Sequence, residues 1–294
     1  MGSLFLLPRR RPFFEISPLT WLNAVFCAYL EGKQQGGSLM NILVIDLEFN
    51  GRRHYDIYPM EIIEIGAVKI NENGDILDTF QSYVRPLFPI HDFALDFCGI
   101  ERETLAASEP FTEVIGRFKV FCGNPCTLIA WGKTDFFHLL VDCKTNGIST
   151  DWLTRMIDMS TTYTGGLQQA LEEHHIELTG KQHSALDDAL HAHRLLLLHL
   201  EIIHSSSSYK ADPIKISTGG IKKKMSMDLN QAVKLNQVLS WEQFVQDEQT
   251  QQYIAIMKLT PTEIGYMEHM FRRYFKQVYG RGVRARLKSL GIDI

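Results

Sequence analysis

The chain has little cysteine and no arrangement of it that builds a site. Its five cysteines, Cys27, Cys98, Cys122, Cys126 and Cys143, are odd in number and show no repeated pair spacing. That excludes the paired framework of a small secreted domain. Cys122 and Cys126 sit four apart, but no second pair or nearby histidine completes a zinc site. The thiols read as reduced, mostly core side chains of a cytoplasmic protein. Long hydrophobic runs are also missing: none reaches the roughly eighteen apolar residues of a membrane span, so no membrane partner is expected. Arg9-Arg10-Arg11 ahead of the moderately apolar residues 12–30 imitates a secretory leader. Glu15 interrupts that stretch, however, and no clear small-x-small cleavage site follows. Met40 stands immediately before the first strongly patterned segment, so the compact domain is expected to begin there, with 1–39 as an extension.

Charge of each sign is scarce in a different part of the chain. Residues 1–204 carry 16 Lys and Arg against 26 Asp and Glu, whereas residues 205–294 carry 14 against 8. An acidic part followed by a basic one suggests a metal-binding catalytic region and a polyanion-binding region. With 294 residues, one well-buried domain and a smaller companion are both affordable.

The stretch 41–51, Asn-Ile-Leu-Val-Ile-Asp-Leu-Glu-Phe-Asn-Gly, organises the rest. Ile42 to Ile45 form an uninterrupted apolar run, the pattern of a central strand buried on both faces. Asp46 and Glu48 continue it two residues apart, so both carboxylates point to one face of the sheet. Like charges in a semi-buried place repel and lose hydration. A strand edge with both acids solvated is one resolution; a site for hard divalent ions such as Mg²⁺ or Mn²⁺ is the other.

The following pattern predicts an α/β fold with a mixed sheet. Strands are expected at 61–70 and 76–84, joined by a hairpin at Asn71-Glu-Asn-Gly74. A helix near 110–122, a strand at 127–131, a helix at 133–146 closed by Gly147, a strand near 152–159 and helices at 166–174 and 184–203 complete the unit. Two places supply further acids. Asp135 stands where a strand ends and a helix begins, the ordinary position of an acid that favours the helix dipole. His183-Ser-Ala-Leu-Asp-Asp188-Ala189 opens the long helix, where a solvated capping turn is the plain alternative. Ala185 and Ala189 give that helix a narrow face, from which Asp188 can project toward Asp46 and Glu48. His191, His193, His199 and His204 on this helix read as surface or packing residues.

Asp46-x-Glu48, then Asp135 after a strand, then His183-x-Ala185-x-x-Asp188 resemble, in order and spacing, the three motifs of the DEDDh family of 3′→5′ exonucleases. Glu61-Ile-Ile-Glu-Ile-Gly66, Phe80-Gln-Ser-Tyr-Val-Arg-Pro86 and Phe97-Cys98 are similar to its Eri/KapD-like branch. The resemblance covers about residues 41–203. It implies an RNase H-like exonuclease fold, two Mg²⁺ or Mn²⁺ ions, and hydrolysis of nucleotides from a single-stranded 3′ end, with RNA favoured over DNA through the branch. It further implies that Asp46 bridges both ions, Glu48 and Asp188 hold the ion on the nucleophile side, and Asp135 holds the other. His183 then deprotonates the attacking water. Phe49 packs either on the terminal nucleotide or in the core. Asn50 stands where many relatives have threonine, and Thr134 where an aromatic residue often precedes the second-motif aspartate. A catalytically weak binding module on the same fold and a DNA-trimming or proofreading accessory are the rival readings.

Residues 40–204 are thus expected to form the exonuclease domain, 205–224 a flexible linker, and 225–294 a small helical basic region. Residues 227–253 read as helical. Thr260-Pro261-Thr262-Glu263 marks a strong helix start. From 271 to 288 there are seven Lys and Arg and no acid, interleaved with Phe271, Tyr274, Phe275 and Tyr279. Arg272, Arg273, Arg284 and Arg286 are the expected phosphate contacts, with occasional base stacking. A helical domain with aromatic core and solvated arginines, or a protein partner docking on this region, is the alternative.

Overall fold

Strand β1, Asn41–Asn50, lies at the centre of a five-stranded sheet of order β3-β2-β1-β4-β5 in a computed structural model that describes residues 40–52 and 56–293. The expectation for 1–39 lies outside the described residues. β2, Glu61–Ile70, and β3, Ile76–Tyr83, form the expected antiparallel meander. Its turn is closed by Asn71, whose side chain accepts from the Asn73 and Asp75 amides at 2.9 Å, while Gly74 takes φ 87°. β4, Cys126–Ala130, and β5, Arg155–Asp158, join β1 in parallel, which makes the sheet mixed.

Alternation along β1 divides the core. Leu43, Ile45 and Leu47 pack with α3, Phe111–Cys122, and α4, Thr134–Asn146, through Phe118, Phe136 and Leu139. Ile42 and Val44 face the other way, onto Ala189, Ala192 and Leu195 of α6, Ala185–Leu196. The helices α1, Asp92–Cys98, α2, Arg102–Ala107, and α5, Leu167–Glu173, close the ends. Helix α6 stops at Leu196, short of the expected Ile203, and Leu200–His204 is a 3-10 turn.

The C-terminal part departs furthest from expectation. Residues 205–224 are folded, not a free linker. Tyr209 stacks on Phe136 at 5.8 Å, Pro213–Thr218 forms α7, and Ser217, Thr218 and Ile221 are buried. Gly220 permits close packing here, since an added Cβ would lie 3.0 Å from the Tyr253 ring. The single helix expected over 227–253 is three: α8, Lys222–Lys234, α9, Trp241–Gln246, and α10, Glu248–Ile256. Two local caps break it. Ser240 and Gln243 form a capping box, and Asp247 accepts from the Thr250 amide. α11, Pro261–Val278, begins with the predicted Thr260–Glu263 capping box and is followed by α12, Arg281–Ser289. These helices share one core with Val141 of α4, in which Phe271 and Tyr279 are buried. Those two rings are therefore core, not stacking platforms. No helix among the described residues is long and apolar enough to cross a membrane.

Candidate active site

Asp46 and Glu48 occupy the same face of β1 as Ile42 and Val44, the face that α6 covers. Opposite them on β2 stand Gly66, paired with Asp46, and Glu64, paired with Glu48. Gly66 lets the two elements meet: a Cβ there would lie 2.1 Å from the Ala185 carbonyl carbon. The start of α6 therefore sits directly on the sheet. Asp135 arrives from β1's parallel neighbour, in the first turn of α4 after β4. The amides of Asp135 and Leu47 partly offset the burial of its carboxylate.

Asp188 lies in the first turn of α6, and His183 just before it, at φ 58°. That left-handed conformation is costly for a non-glycine residue and turns the imidazole back toward the sheet. Glu48, His183 and Asp188 each present a donor atom, and the three atoms lie within 4.8 Å of one another. The exposed Phe97 ring lies 3.9 Å from the His183 ring.

The electrostatics show the conflict anticipated for these acids. Burial, then the charges of Asp135, Glu48, Asp188 and Glu64, push Asp46 well above the usual carboxylate range. Burial raises Glu48 to about 7, against the opposing effect of a hydrogen bond from the Cys98 thiol at 3.0 Å. Burial likewise raises Asp135 to about 7 and raises Asp188. Four carboxylates disfavoured as anions, all hard oxygen donors, fit divalent cations of the Mg²⁺ or Mn²⁺ class.

A supporting layer escaped the sequence reading. Glu64 is buried. Its carboxylate accepts from Gln81 Nε2 at 2.6 Å and from the Ala185 amide at 3.2 Å, so it grips the N-terminus of the helix that carries Asp188. His191, expected as a packing residue, also reaches the site. The Thr179 amide donates to its Nε2 at 3.1 Å, which leaves the neutral ring's proton on Nδ1, 3.4 Å from Asp188 Oδ1. An acid inside an otherwise apolar strand was the available signal for Glu64. His191, one turn beyond Asp188, was equally readable as core.

Phe49 is turned the other way. A bulge follows Glu48, and the Phe49 ring packs against the α3/α4 core, 4.9 Å from His138. Of its two expected roles, the geometry favours the core. Arg272, Arg273, Arg284 and Arg286 are exposed on α11 and α12. Arg272 pairs with Glu268 at 2.5 Å, Arg284 Nε donates to the Tyr279 carbonyl and Arg286 to that of Val233.

Comparison with known proteins decides the family. A family model described as Exonuclease (RNase_T) matches residues 43–196, more than half of the chain and all five site residues. The chain belongs to the exonuclease family. This exonuclease is 33% identical over 172 residues to the probable 3′-5′ exonuclease KapD of Bacillus subtilis, covering 54% of this chain and 83% of that one. It is 27% identical over 188 residues to ERI1 exoribonuclease 2 of Xenopus laevis, covering 52% of this chain but only 27% of the frog protein. A solved structure described as 3′-end specific recognition of histone mRNA stem-loop by 3′-exonuclease shares its fold, with a TM-score of 0.50 and 22% identity. The alignment covers 56% of this exonuclease and 84% of that chain. The exonuclease is thus a DEDDh-type 3′→5′ hydrolase of nucleic-acid phosphodiesters, in a family that uses divalent metal ions. The expected RNase H-like fold with a mixed sheet is the one observed.

Proposed function

We propose that this exonuclease removes nucleotides one at a time from single-stranded 3′ ends, with RNA preferred over DNA, using two Mg²⁺ or Mn²⁺ ions. The observation that carries the reading is the convergence of Asp46, Glu48, Asp135 and Asp188 from three elements, with His183 beside Glu48 and Asp188. Asp46, Glu48, Asp135 and Asp188 would hold the ions, which when bound neutralise the phosphodiester and lower the pKa of water. His183 takes the proton of the attacking water from its position beside Glu48. Glu64 and His191 hold Asp188 in place, and Cys98 fixes one oxygen of Glu48. The exposed Phe97 ring offers an apolar face for the terminal base.

The RNA preference is supported by the name of the Xenopus relative, an exoribonuclease. Residues 40–204 are the proposed catalytic domain. The exposed arginines 272, 273, 284 and 286 are the proposed contacts to the strand backbone, and the same surface would serve a protein partner. A cytoplasmic location is in keeping with the free thiols of Cys98, Cys122, Cys126 and Cys143. The test is purified protein with 5′-labelled single-stranded RNA and DNA, with Mg²⁺, Mn²⁺ or EDTA. A ladder shortening from the 3′ end, faster on RNA and absent in EDTA, is expected. Equal rates on DNA would remove the RNA preference, and binding without shortening would remove the catalytic reading.

A further inference from the structure

Where β1 ends, the nuclease fold and the C-terminal helices enclose a cavity of about 260 Å³. Arg52, Phe137 and His138 line one wall, and Gly220, Tyr253 and Met257 the other. The first wall adjoins the metal site along the chain, through the loop after β1 and through α4. Arg52 lies four residues beyond Glu48, and His138 lies one helical turn beyond Asp135 on α4.

Three observations point to a ligand. His138 Nδ1 is buried without a hydrogen-bond partner among the described residues, a rare and costly state for a polar atom. Burial, with the Arg52 charge, lowers that imidazole to about 4, so the ring is neutral and can accept or donate. Among the described residues Arg52 donates one long hydrogen bond, 3.4 Å from Nη1 to the Tyr58 carbonyl, and the rest of its fork suits an anion. The remaining walls are aromatic and aliphatic, the usual lining of a small-ligand pocket with a few polar groups.

We propose that this cavity is a second nucleotide-binding pocket, taking one nucleoside monophosphate unit. Its base lies against Phe137 and Tyr253 and hydrogen-bonds His138 Nδ1, and its phosphate meets Arg52. The C-terminal region thereby completes a binding site on the nuclease fold. The unit is either an upstream nucleotide of the substrate strand or a free nucleotide such as the reaction product.

Titration calorimetry of the full chain with AMP in EDTA tests the pocket, because binding at the metal site needs the ions and this cavity does not. One AMP per chain is expected in EDTA and two with Mg²⁺. Arg52→Gln should weaken the EDTA site about tenfold, as loss of a charge-assisted hydrogen bond does. Gly220→Val fills the cavity from the opposite wall, where an added Cβ would lie 3.0 Å from Tyr253 and 3.2 Å from Arg52. It should abolish the site, with circular dichroism confirming the fold. Fluorescence anisotropy of labelled single strands of two and eight nucleotides separates the sources. If the strand fills the pocket, both variants lose about tenfold more affinity for the octamer than for the dimer. If a free nucleotide fills it, AMP binding is lost while strand affinity is kept. No AMP binding to the folded wild type in EDTA, with strand affinity equal in all three proteins, would overturn the proposal. Failure of the exonuclease reading would show separately, as strands that are not shortened in Mg²⁺.

Discussion

At the scale of single residues, the site is a balance between repulsion and purpose. Without cations, the raised carboxylates work against folding at neutral pH. A carboxyl whose folded pKa is raised favours the folded state below its unfolded value and loses that contribution as pH rises through the folded value. For Glu48 and Asp135 that window runs from their ordinary values near 4 up to about 7. In EDTA, the melting temperature should therefore rise as pH falls from 8 to about 5, and Mg²⁺ or Mn²⁺ should flatten the dependence. A melting temperature that falls over that range would show the acids to be ordinary surface groups. Asp46→Ala and Asp188→Ala should abolish cleavage, leave stability in EDTA equal or higher, and gain less from Mn²⁺ than the wild type does. Equal gains would remove them as ligands. His183→Ala should lose about 10² to 10⁴ in rate, the usual worth of a general base, with partial recovery at raised pH. Full activity at neutral pH would end that role. These residues were legible because the chemistry needs them at fixed spacing. Glu64 and His191 were not: Glu64 acts on a backbone amide 121 residues away, and the three-residue spacing of His191 from Asp188 is equally that of two helix residues sharing a buried face.

At the scale of elements, the decisive contact is α6 on β2. Gly66 must lack a side chain because the Ala185 backbone fills that space. Gly66→Ala should push α6 away, with a cost of about 2 kcal/mol or more, as overpacking in a core does, and with Asp188 carried out of reach. Glu64→Ala should lower kcat and raise the Mn²⁺ requirement with little change in KM, because it frees the α6 terminus without touching substrate. Glu64→Gln, which keeps an acceptor for the Ala185 amide, should restore most of the loss; if it restores nothing, the charge of Glu64 and not its grip is what matters. The meander, the Asn71–Gly74 hairpin and the Thr260 capping box were all readable, because in each the deciding chemistry is local. The breaks at Ser240 and Asp247 are local too, yet the apolar stripe from Leu229 to Leu239 concealed them. A stripe constrains which face is buried, not whether one helix carries it.

At the scale of the whole molecule, the C-terminal region is built into the catalytic fold. Val141 and Phe137 of α4 pack in the C-terminal core, and Lys144 pairs with Glu263 of α11 at 2.9 Å. Removing residues 205–294 would expose that surface, so deletion is a poor test of the basic face and charge reversal is the better one. A chain beginning at Met40 should keep its activity, since every site residue lies downstream; aggregation of that chain would show that residues 12–30 contribute to packing. Arg272 can leave its exposed pair with Glu268 at little cost, because surface ion pairs contribute about 0 to 1 kcal/mol. Arg273 makes no hydrogen bond to the rest of the chain among the described residues. If Arg272, Arg273, Arg284 and Arg286 each meet a phosphate, each contributes about −0.7 to the slope of log affinity against log salt for a single strand. Changing all four to glutamate should flatten that slope by about three units and weaken long strands far more than dinucleotides. Arg284 and Arg286 also hold the Tyr279 and Val233 carbonyls, so the double change Arg273→Glu with Arg272→Glu isolates the phosphate effect, with about half the change in slope. An unchanged slope in both proteins would mean that the strand does not run along α11 and α12. The basic face would then be a surface for an acidic protein partner.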